Sequence, residues 1–400
     1  MPIEFCWPME RRSLEDYYEM ILRCAKCEFC KNVFISNTEH WQFAKQCPPG
    51  ERFGFAAYYA TGRIEIARGL LEGELKWTDK LLHILYTCTT CGACEHWCSI
   101  FREVYPLKII MEMRIKAVKE VGPLPAHKRL MENIVKYHNP YGESHEQRFE
   151  WLPSTVKTSG ESSLVYFAGC SSSYRQQQIA RSTVNILSKL GVKFNVLGGE
   201  EWCCGAPLFE VGLVDEAKKT LEHNIKTLNK MKVEKVVFTC PACMYTFKEA
   251  SKYEIEEPKF ELQHITDFLL PKLEKIKMKG LNEKLTYHDP CRLGRGLGIY
   301  EQPRKILKLI PGLELVEMPR HMEDSWCCGG GGGVLAQYPD FALWTASQRL
   351  EEMKFVGVKK LVTSCPACKT TLSLAIPPRL RRAREIQVVD VMELLSKVIP

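Results

Sequence analysis

The chain has 400 residues, 45% hydrophobic and 26% charged, which is ordinary for a globular protein and long enough for two or three domains with cores of their own. Its 55 basic and 48 acidic residues leave a formal charge of +7, but they are scattered, which argues against nucleic-acid binding; the one dense run, "RLRRAR" from Arg379, reads as a solvated helix face. The 19 cysteines are the anomaly: an odd number in a chain with no sign of secretion is a poor disulfide framework, and their tight clusters point to metal or redox chemistry.

The opening "MPIEFCWPMERRS" has no charged head followed by an apolar run, so no secretory leader is expected. No window approaches the roughly 18 apolar residues of a membrane span. The chain is therefore expected in the cytoplasm, with any membrane association made through a partner subunit. Cys6 has no companions and is expected to be structural.

Residues 1–150 read as mostly helical. "SLEDYYEMILRC" opens on a capping box, with Ser13 and Asp16 ahead of a helical apolar pattern. "TDKLLHILYTC" and "LKIIMEMRIKAVKEVG" have the same spacing, the second stopping at Gly122 and Pro123. The polar, turn-rich "HNPYGESHEQRFEWLPSTVKTSGESS" reads as a linker. Beyond it the period changes to strand and helix in alternation. "SLVYFAGC", "QQQIARSTVNILSKLG" and "VKFNVLGG" are strand, helix and strand; "LTYHDPC", "EQPRKILKLI" and "LELVEMP" repeat that order.

The two later parts are copies of one another. "VEKVVFTCPACMYTF" (233–247) aligns with "VKKLVTSCPACKTTL" (358–372), and "FELQHITDFLLPKL" (260–273) with "IQVVDVMELLSKVI" (386–399). A duplicated α/β domain is expected, over 160–279 and 280–400, with a cleft between the halves.

The cysteines follow this division. Cys88, Cys91, Cys94 and Cys98 form C-x2-C-x2-C-x3-C, the spacing that holds cubane clusters, in which the fourth cysteine serves the other cluster. Cys24, Cys27 and Cys30 repeat the first three, but Phe34 stands where the fourth belongs, and the next cysteine is Cys47, followed by proline. Residues 31–46 thus read as an insertion. The expected sets are Cys24, Cys27, Cys30 and Cys98 for one cluster, and Cys88, Cys91, Cys94 and Cys47 for the other. Zinc favours C-x2-C pairs, but has no use for a third cysteine at the next step, twice, without histidine.

In the duplicated part, Cys170, Cys203, Cys204, Cys240 and Cys243 are matched by Cys291, Cys327, Cys328, Cys365 and Cys368. Cys170, Cys240, Cys291 and Cys365 each end an expected strand, where ligands gather in open α/β sheets, and the Cys-Cys pairs lie in Gly-bounded loops. Five thiolates at one point exceed the four that a zinc ion or a cubane takes. Zinc at one of the two sites is the competing reading. Packing of buried cysteines as small hydrophobes does not account for two matched sets.

The repeated C…CC…C-x2-C pattern, with two cubane motifs before it, resembles the heterodisulfide reductase D subunit from about Cys24 to Pro400. The resemblance implies an α+β multidomain protein: a mostly helical ferredoxin-like N-terminal domain, then two duplicated α/β CCG domains related by pseudo-twofold symmetry. It implies two cubane [4Fe-4S] clusters on the first eight cysteines, and two noncubane [4Fe-4S] clusters, each on five of the last ten. It also implies reduction of the disulfide of coenzyme M and coenzyme B in a shared cavity. The stretched first motif is the departure from the family pattern.

No flavin or nicotinamide fingerprint is present, so electrons are expected from a separate protein: a cytochrome b subunit, a flavoprotein or a ferredoxin. An electron-transfer subunit of a dehydrogenase or quinone-linked complex is the alternative. Arg175, Arg292 and Arg295 lie where an anionic substrate would want cations, and each also reads as a surface group or a partner to cluster charge. His288 could donate a proton near its cluster, or be structural. The run Gly329–Gly333 either lets backbone approach a cluster or merely bends the chain.

Overall fold

A computed structural model describes residues 13–33, 40–154, 162–383 and 385–400. Cys6 and the opening segment lie outside the described residues.

The first part is helical, as its periodicity predicts. The Ser13 backbone N–H donates to Asp16 Oδ2 at 2.8 Å, closing the capping box ahead of a short 3-10 turn and the helix Tyr18–Leu22. Thr78 caps Asp79–Tyr86 by accepting the Leu81 N–H at 3.2 Å. Pro106 starts the helix Pro106–Val121, and Gly122 ends it with φ +80°. That helix is the axis of the N-terminal part. Ile109, Ile110, Met113 and Ala117 are buried, and it packs along Ala60–Leu71.

Two parallel sheets follow. The first contains β1 (Leu164–Phe167), β2 (Lys235–Phe238) and β3 (Glu261–His264) in the order β1-β2-β3. The second contains β4 (Glu283–His288), β5 (Leu313–Leu315), β6 (Lys360–Thr363) and β7 (Gln387–Asp390) in the order β5-β4-β6-β7. The expected strand "VKFNVLGG" is reduced to one parallel bridge, Val165 to Asn195. Phe194 turns fully inward there, and Gly198, at φ +61°, ends the run before a ladder can grow. With that bridge in the place of β5, the strand order of the two sheets is the same.

The halves exchange helices. Val391–Val398, last of the second half, packs on Gln177–Lys189 of the first; Ile265–Leu273 of the first packs on Glu301–Lys308 of the second. Lys189 Nζ donates to the Ile399 carbonyl at 2.9 Å. One core contains Val184, Leu187 and Phe268 together with Ile306, Leu307 and Leu394. Separating the halves would expose it, at roughly 1.5–3 kcal/mol for each large side chain.

The segment read as a linker is not loose where it is described. Asn139, Arg148 and Trp151 are fully buried around the turn His145–Phe149, and Trp151 lies 6.0 Å from Tyr166 of β1, centroid to centroid. Polarity misled here because Arg148 is buried for electrostatic reasons given below. The basic run at 379–382 is an exposed helix end, as expected.

Asp390 ends β7 and caps Val391–Val398, accepting the Met392 N–H at 2.9 Å through Oδ1. Burial pushes its carboxyl up to about 8 from an ordinary 3.8. The folded state therefore holds a proton that the unfolded chain releases. This group should lower stability as pH rises from about 4 to about 8, by at most about 1.4 kcal/mol per pH unit. Asp390→Asn keeps the cap and should flatten that slope in anaerobic urea titrations; an unchanged slope would count against it.

Candidate metal centres

Two tight loops carry Cys24, Cys27 and Cys30, and Cys88, Cys91 and Cys94. In each, the backbone turns left-handed at the same two places. Lys26 (φ +51°) and Thr90 (φ +50°) precede the second cysteine; Glu28 (φ +65°) and Gly92 (φ +73°) follow it. A β-branched residue such as Thr90 takes this conformation only where its surroundings enforce it. Gly92 then starts the helix Ala93–Arg102, which places Cys94 and Cys98 one turn apart.

The expected sets come together. Cys24, Cys27, Cys30 and Cys98 line one small cavity with Thr61 and Ile64. Cys47, Cys88, Cys91 and Cys94 line a second with Arg63 and Gly92. Cys98 thus leaves its own motif for the first cavity, and Cys47 reaches the second. The insertion closes on itself through an antiparallel bridge, Asn32 to Lys45, with the Gln46 N–H on the Lys31 carbonyl at 3.0 Å. That pairing returns the chain to Cys47. Burial pushes the thiols of Cys30, Cys98 and Cys47 up to about 12. Of these four-cysteine sets only Cys27 is exposed.

The other ten cysteines form two nests. Cys240 and Cys365 are the N-caps of Pro241–Lys248 and Pro366–Ala375, two residues beyond their strands. Cys170 lies in the first turn of the short helix Gly169–Tyr174, and Cys291 opens a turn after β4, so these two also stand past their strands rather than on them. Gly205 (φ +84°) and Gly329 (φ +87°) bend the chain after each Cys-Cys pair. A Cβ at Gly205 would lie 2.8 Å from the Ala217 carbonyl oxygen, and one at Gly329 would strike that of Ala342.

In the first nest, thiol hydrogen bonds run from Cys170 to Cys203, Cys204, Cys243 and Cys240. In the second they run from Cys327 to Cys328, Cys368 and Cys365, with Cys291 as a charged neighbour of the pair. Cys204 and Cys328, the second member of each pair, are held below the usual thiol range because two thiols donate to each. The nests meet at Cys240 and Cys365, whose thiols directly perturb one another's ionisation. The second cavity touches the second nest through Cys91 and Cys327.

The surrounding charge fits an anionic thiolate–metal group. Arg63, Arg114 and Arg295 are buried and give their N–H groups to backbone carbonyls; none has a carboxylate partner among the described residues. An unpaired buried cation is strongly unfavourable unless negative charge lies beside it. Each faces one thiol of the second cavity: Arg63 opposes the burial shift of Cys47 and Arg295 that of Cys91, while Cys88 supports the charge on Arg114. At the first nest Arg148, with no exposure, donates to Cys170 Sγ at 3.4 Å and pairs with buried Glu201 at 3.5 Å. Neither residue carries a sequence signal, since Arg148 lies in the polar segment far from any motif.

Of the other cations, Arg292 pairs with Glu210 at 3.0 Å and lines a half-open pocket with Tyr245 and Glu249. Arg295, besides its charge beside the Cys91 thiol, donates to the Cys91 carbonyl at 2.8 Å. Arg175 pairs with Glu143 at 2.9 Å. Gly331 and Gly332 pack on the Cys88–Thr90 loop: a Cβ at Gly331 would lie 2.7 Å from the Thr89 carbonyl oxygen, and one at Gly332 would strike that of Cys88. The glycine run therefore brings backbone against a cysteine loop and is not merely flexible.

The chain matches the Cysteine-rich domain family over residues 164–248 and 285–373, and the 4Fe-4S dicluster domain family over residues 20–100. It is 38% identical over 323 residues to the D subunit of the dihydromethanophenazine:CoB--CoM heterodisulfide reductase of Methanosarcina mazei, covering 79% of this chain and 78% of that one. It is 33% identical to the B subunit of the fumarate reductase (CoM/CoB) of Methanothermobacter marburgensis, covering 78% of this chain and 61% of that one. With the EtfAB:quinone oxidoreductase of Syntrophomonas wolfei the identity is 30%, over 78% of this chain and 46% of that one.

Gly332→Ala should destabilise the chain by about 2–4 kcal/mol, the sum of left-handed strain and overpacking. Gly357→Ala has the same sign of φ (+72°) and open space, and should lose only the strain, about 1–2 kcal/mol. Equal losses in anaerobic denaturation would show that the contact with Cys88 is slack.

Proposed function

Because this chain belongs to the family of heterodisulfide reductase D subunits and is an iron–sulfur oxidoreductase, we propose that it reduces a small-molecule disulfide of the coenzyme M–coenzyme B type. The observation that carries this reading is the contact between the two five-cysteine nests at Cys240 and Cys365. Breaking one S–S bond takes two electrons and two protons and yields two thiols.

Cys24, Cys27, Cys30 and Cys98 would hold one cubane cluster, and Cys47, Cys88, Cys91 and Cys94 the other. Cys170, Cys203, Cys204, Cys240 and Cys243 would hold one noncubane cluster, and Cys291, Cys327, Cys328, Cys365 and Cys368 its counterpart. When bound, such clusters supply one-electron carriers and, in the nests, thiophilic iron. The chain contributes burial, which keeps water from both nests, and fixed cations beside the sulfurs. Arg292 and Tyr245 would line the substrate's approach, since Ala242 and Arg292 each adjoin a nest cysteine; a guanidinium there suits an anionic substituent.

The domains are taken as 1–150, ferredoxin-like, and 160–279 and 280–400, related by a pseudo-twofold axis. The shared strand order and the reciprocal helix exchange support that relation. Electrons would come from a separate protein: a cytochrome b, a flavoprotein or a ferredoxin. Among the described residues no helix is long and apolar enough to cross a membrane, so anchoring would fall to that partner. A second reading, electron transfer within a quinone-linked complex, is supported by the likeness to the quinone oxidoreductase.

The purified chain should contain about sixteen irons. Cys98→Ala and Cys47→Ala should each lose about four, from different clusters, and zinc in one nest would lower the wild-type count. Oxidised, thiol-treated protein should develop a new paramagnetic signal, and reduced viologen should drive disulfide cleavage under anaerobic conditions. Clusters that reduce normally without either result would leave the electron-transfer reading standing instead.

A further inference from the structure

His288 ends β4, three residues before Cys291, and is buried. The residue that ends β1, three before Cys170, is Phe167. The two nests therefore differ at a matched position. A ring nitrogen of His288 and the sulfurs of Cys328 and Cys368 lie within 4.8 Å of one another. Three such donors could hold a metal ion, so the first question is whether the imidazole is a ligand.

The contact with Arg349 answers it. A metal-bound imidazole gives its second N–H to an acceptor. Here Nδ1 faces the Nε–H of Arg349 at 3.2 Å, and a guanidinium only donates. Nδ1 must carry a lone pair, which places the ring proton on Nε2 and leaves no lone pair there for a metal. The same contact excludes the doubly protonated ring. Nε2 is buried and has no protein hydrogen-bond partner.

Arg349 cannot swing away to relieve this. It has no exposure, and its other N–H groups donate to the Arg320 carbonyl at 2.7 Å, Glu352 Oε2 at 2.9 Å and Ser325 Oγ at 3.3 Å. Glu352 is equally buried and also accepts from Arg320 at 2.7 Å. Ser325 lies two residues before Cys327, so one guanidinium fixes both the imidazole and the loop of the cysteine pair.

We propose that His288 is a positioning residue of the second nest: Arg349 fixes its tautomer, and its Nε2–H is left free to donate to a sulfur of the cluster that Cys328 and Cys368 would hold, without ligating metal. This rests on the reading that the nest holds an iron–sulfur cluster. A hydrogen bond to cluster sulfur favours the more negative, reduced state and so raises the reduction potential. The first nest has no such donor at Phe167 and receives Arg148 at Cys170 instead.

The test compares wild type, His288→Phe and His288→Gln in anaerobic redox titrations followed by EPR, the second-nest signal being the one lost in Cys328→Ser. His288→Phe should shift the one-electron reduction equilibrium of that nest about tenfold toward the oxidised state, about 59 mV, and leave the first nest unchanged. His288→Gln, which keeps an N–H at similar reach, should restore most of it. Nitrogen NMR of protein labelled in histidine should place the His288 proton on Nε2. An unshifted potential in His288→Phe, a proton on Nδ1, or a nitrogen coupling of metal-bound size would overturn the proposal. If His288→Phe does not fold, His288→Gln and the wild-type tautomer still decide it. Wild-type protein lacking iron in that nest would instead overturn the cluster reading, and the tautomer would then judge the hydrogen bond alone.

Discussion

Arg114 has no solvent exposure and gives its guanidinium to four backbone carbonyls: Leu85 at 3.0 Å, Cys88 at 2.7 Å, Glu210 at 2.6 Å and Gly332 at 3.0 Å. Those four belong to the N-terminal helical part and to both halves of the duplicated part. No hydrophobic contact could set the three against each other at this separation, because side chains would hold the backbones apart. A five-donor cation can, provided nothing bulkier than glycine intervenes. The glycine run and Arg114 are thus two sides of one constraint, and Cys91 meets Cys327 because of it.

Contacts among the thiols then follow one line. The cavity of Cys24, Cys27, Cys30 and Cys98 adjoins that of Cys47, Cys88, Cys91 and Cys94, since Cys30 and Cys47 sense each other's charge. Cys91 leads to Cys327 in the second nest, and Cys365 leads to Cys240 in the first. On the proposed reading this gives electrons one order of passage, entering near exposed Cys27 and ending at the first nest. The order depends on tertiary packing alone, as the nest reached second comes first in the chain.

Much of this was legible in the sequence because cysteine spacing reports local geometry directly. The two loops share left-handed turns at matched positions, and Cys47 stands in for a missing fourth cysteine one hairpin away from its motif. The strand and helix order held for β1, β2, β4, β5 and β6, whose apolar runs end in turn formers; β3 and β7 were legible only as a repeated segment. What failed was the segment after His138. Its polarity resembles a linker, yet Arg148 is drawn inward by Cys170 and Glu201. A buried cation whose partners lie 22 and 53 residues away leaves no local pattern. Arg114 and Arg349 escaped for the same reason, each sitting in a helix whose neighbours look ordinary.

The duplication ends where electrostatics begins. Both halves share strand order, cysteine positions and the glycine after each pair. Around the sulfurs they diverge. The position of buried Glu201 is Ser325 in the second half, and that of Phe167 is His288. At the first nest a guanidinium donates directly to Cys170; at the second the guanidinium of Arg349 acts one step back, through a neutral imidazole. A guanidinium at sulfur, even one paired with Glu201, and a neutral donor stabilise added negative charge by different amounts, since hydrogen bonds to charged groups are roughly twice as strong. Two nests built alike and charged differently cannot have equal affinity for an electron. On the proposed reading, a two-electron bond cleavage at their junction would have a direction built in: the carriers would differ because the chain, not the cysteine set, makes them differ.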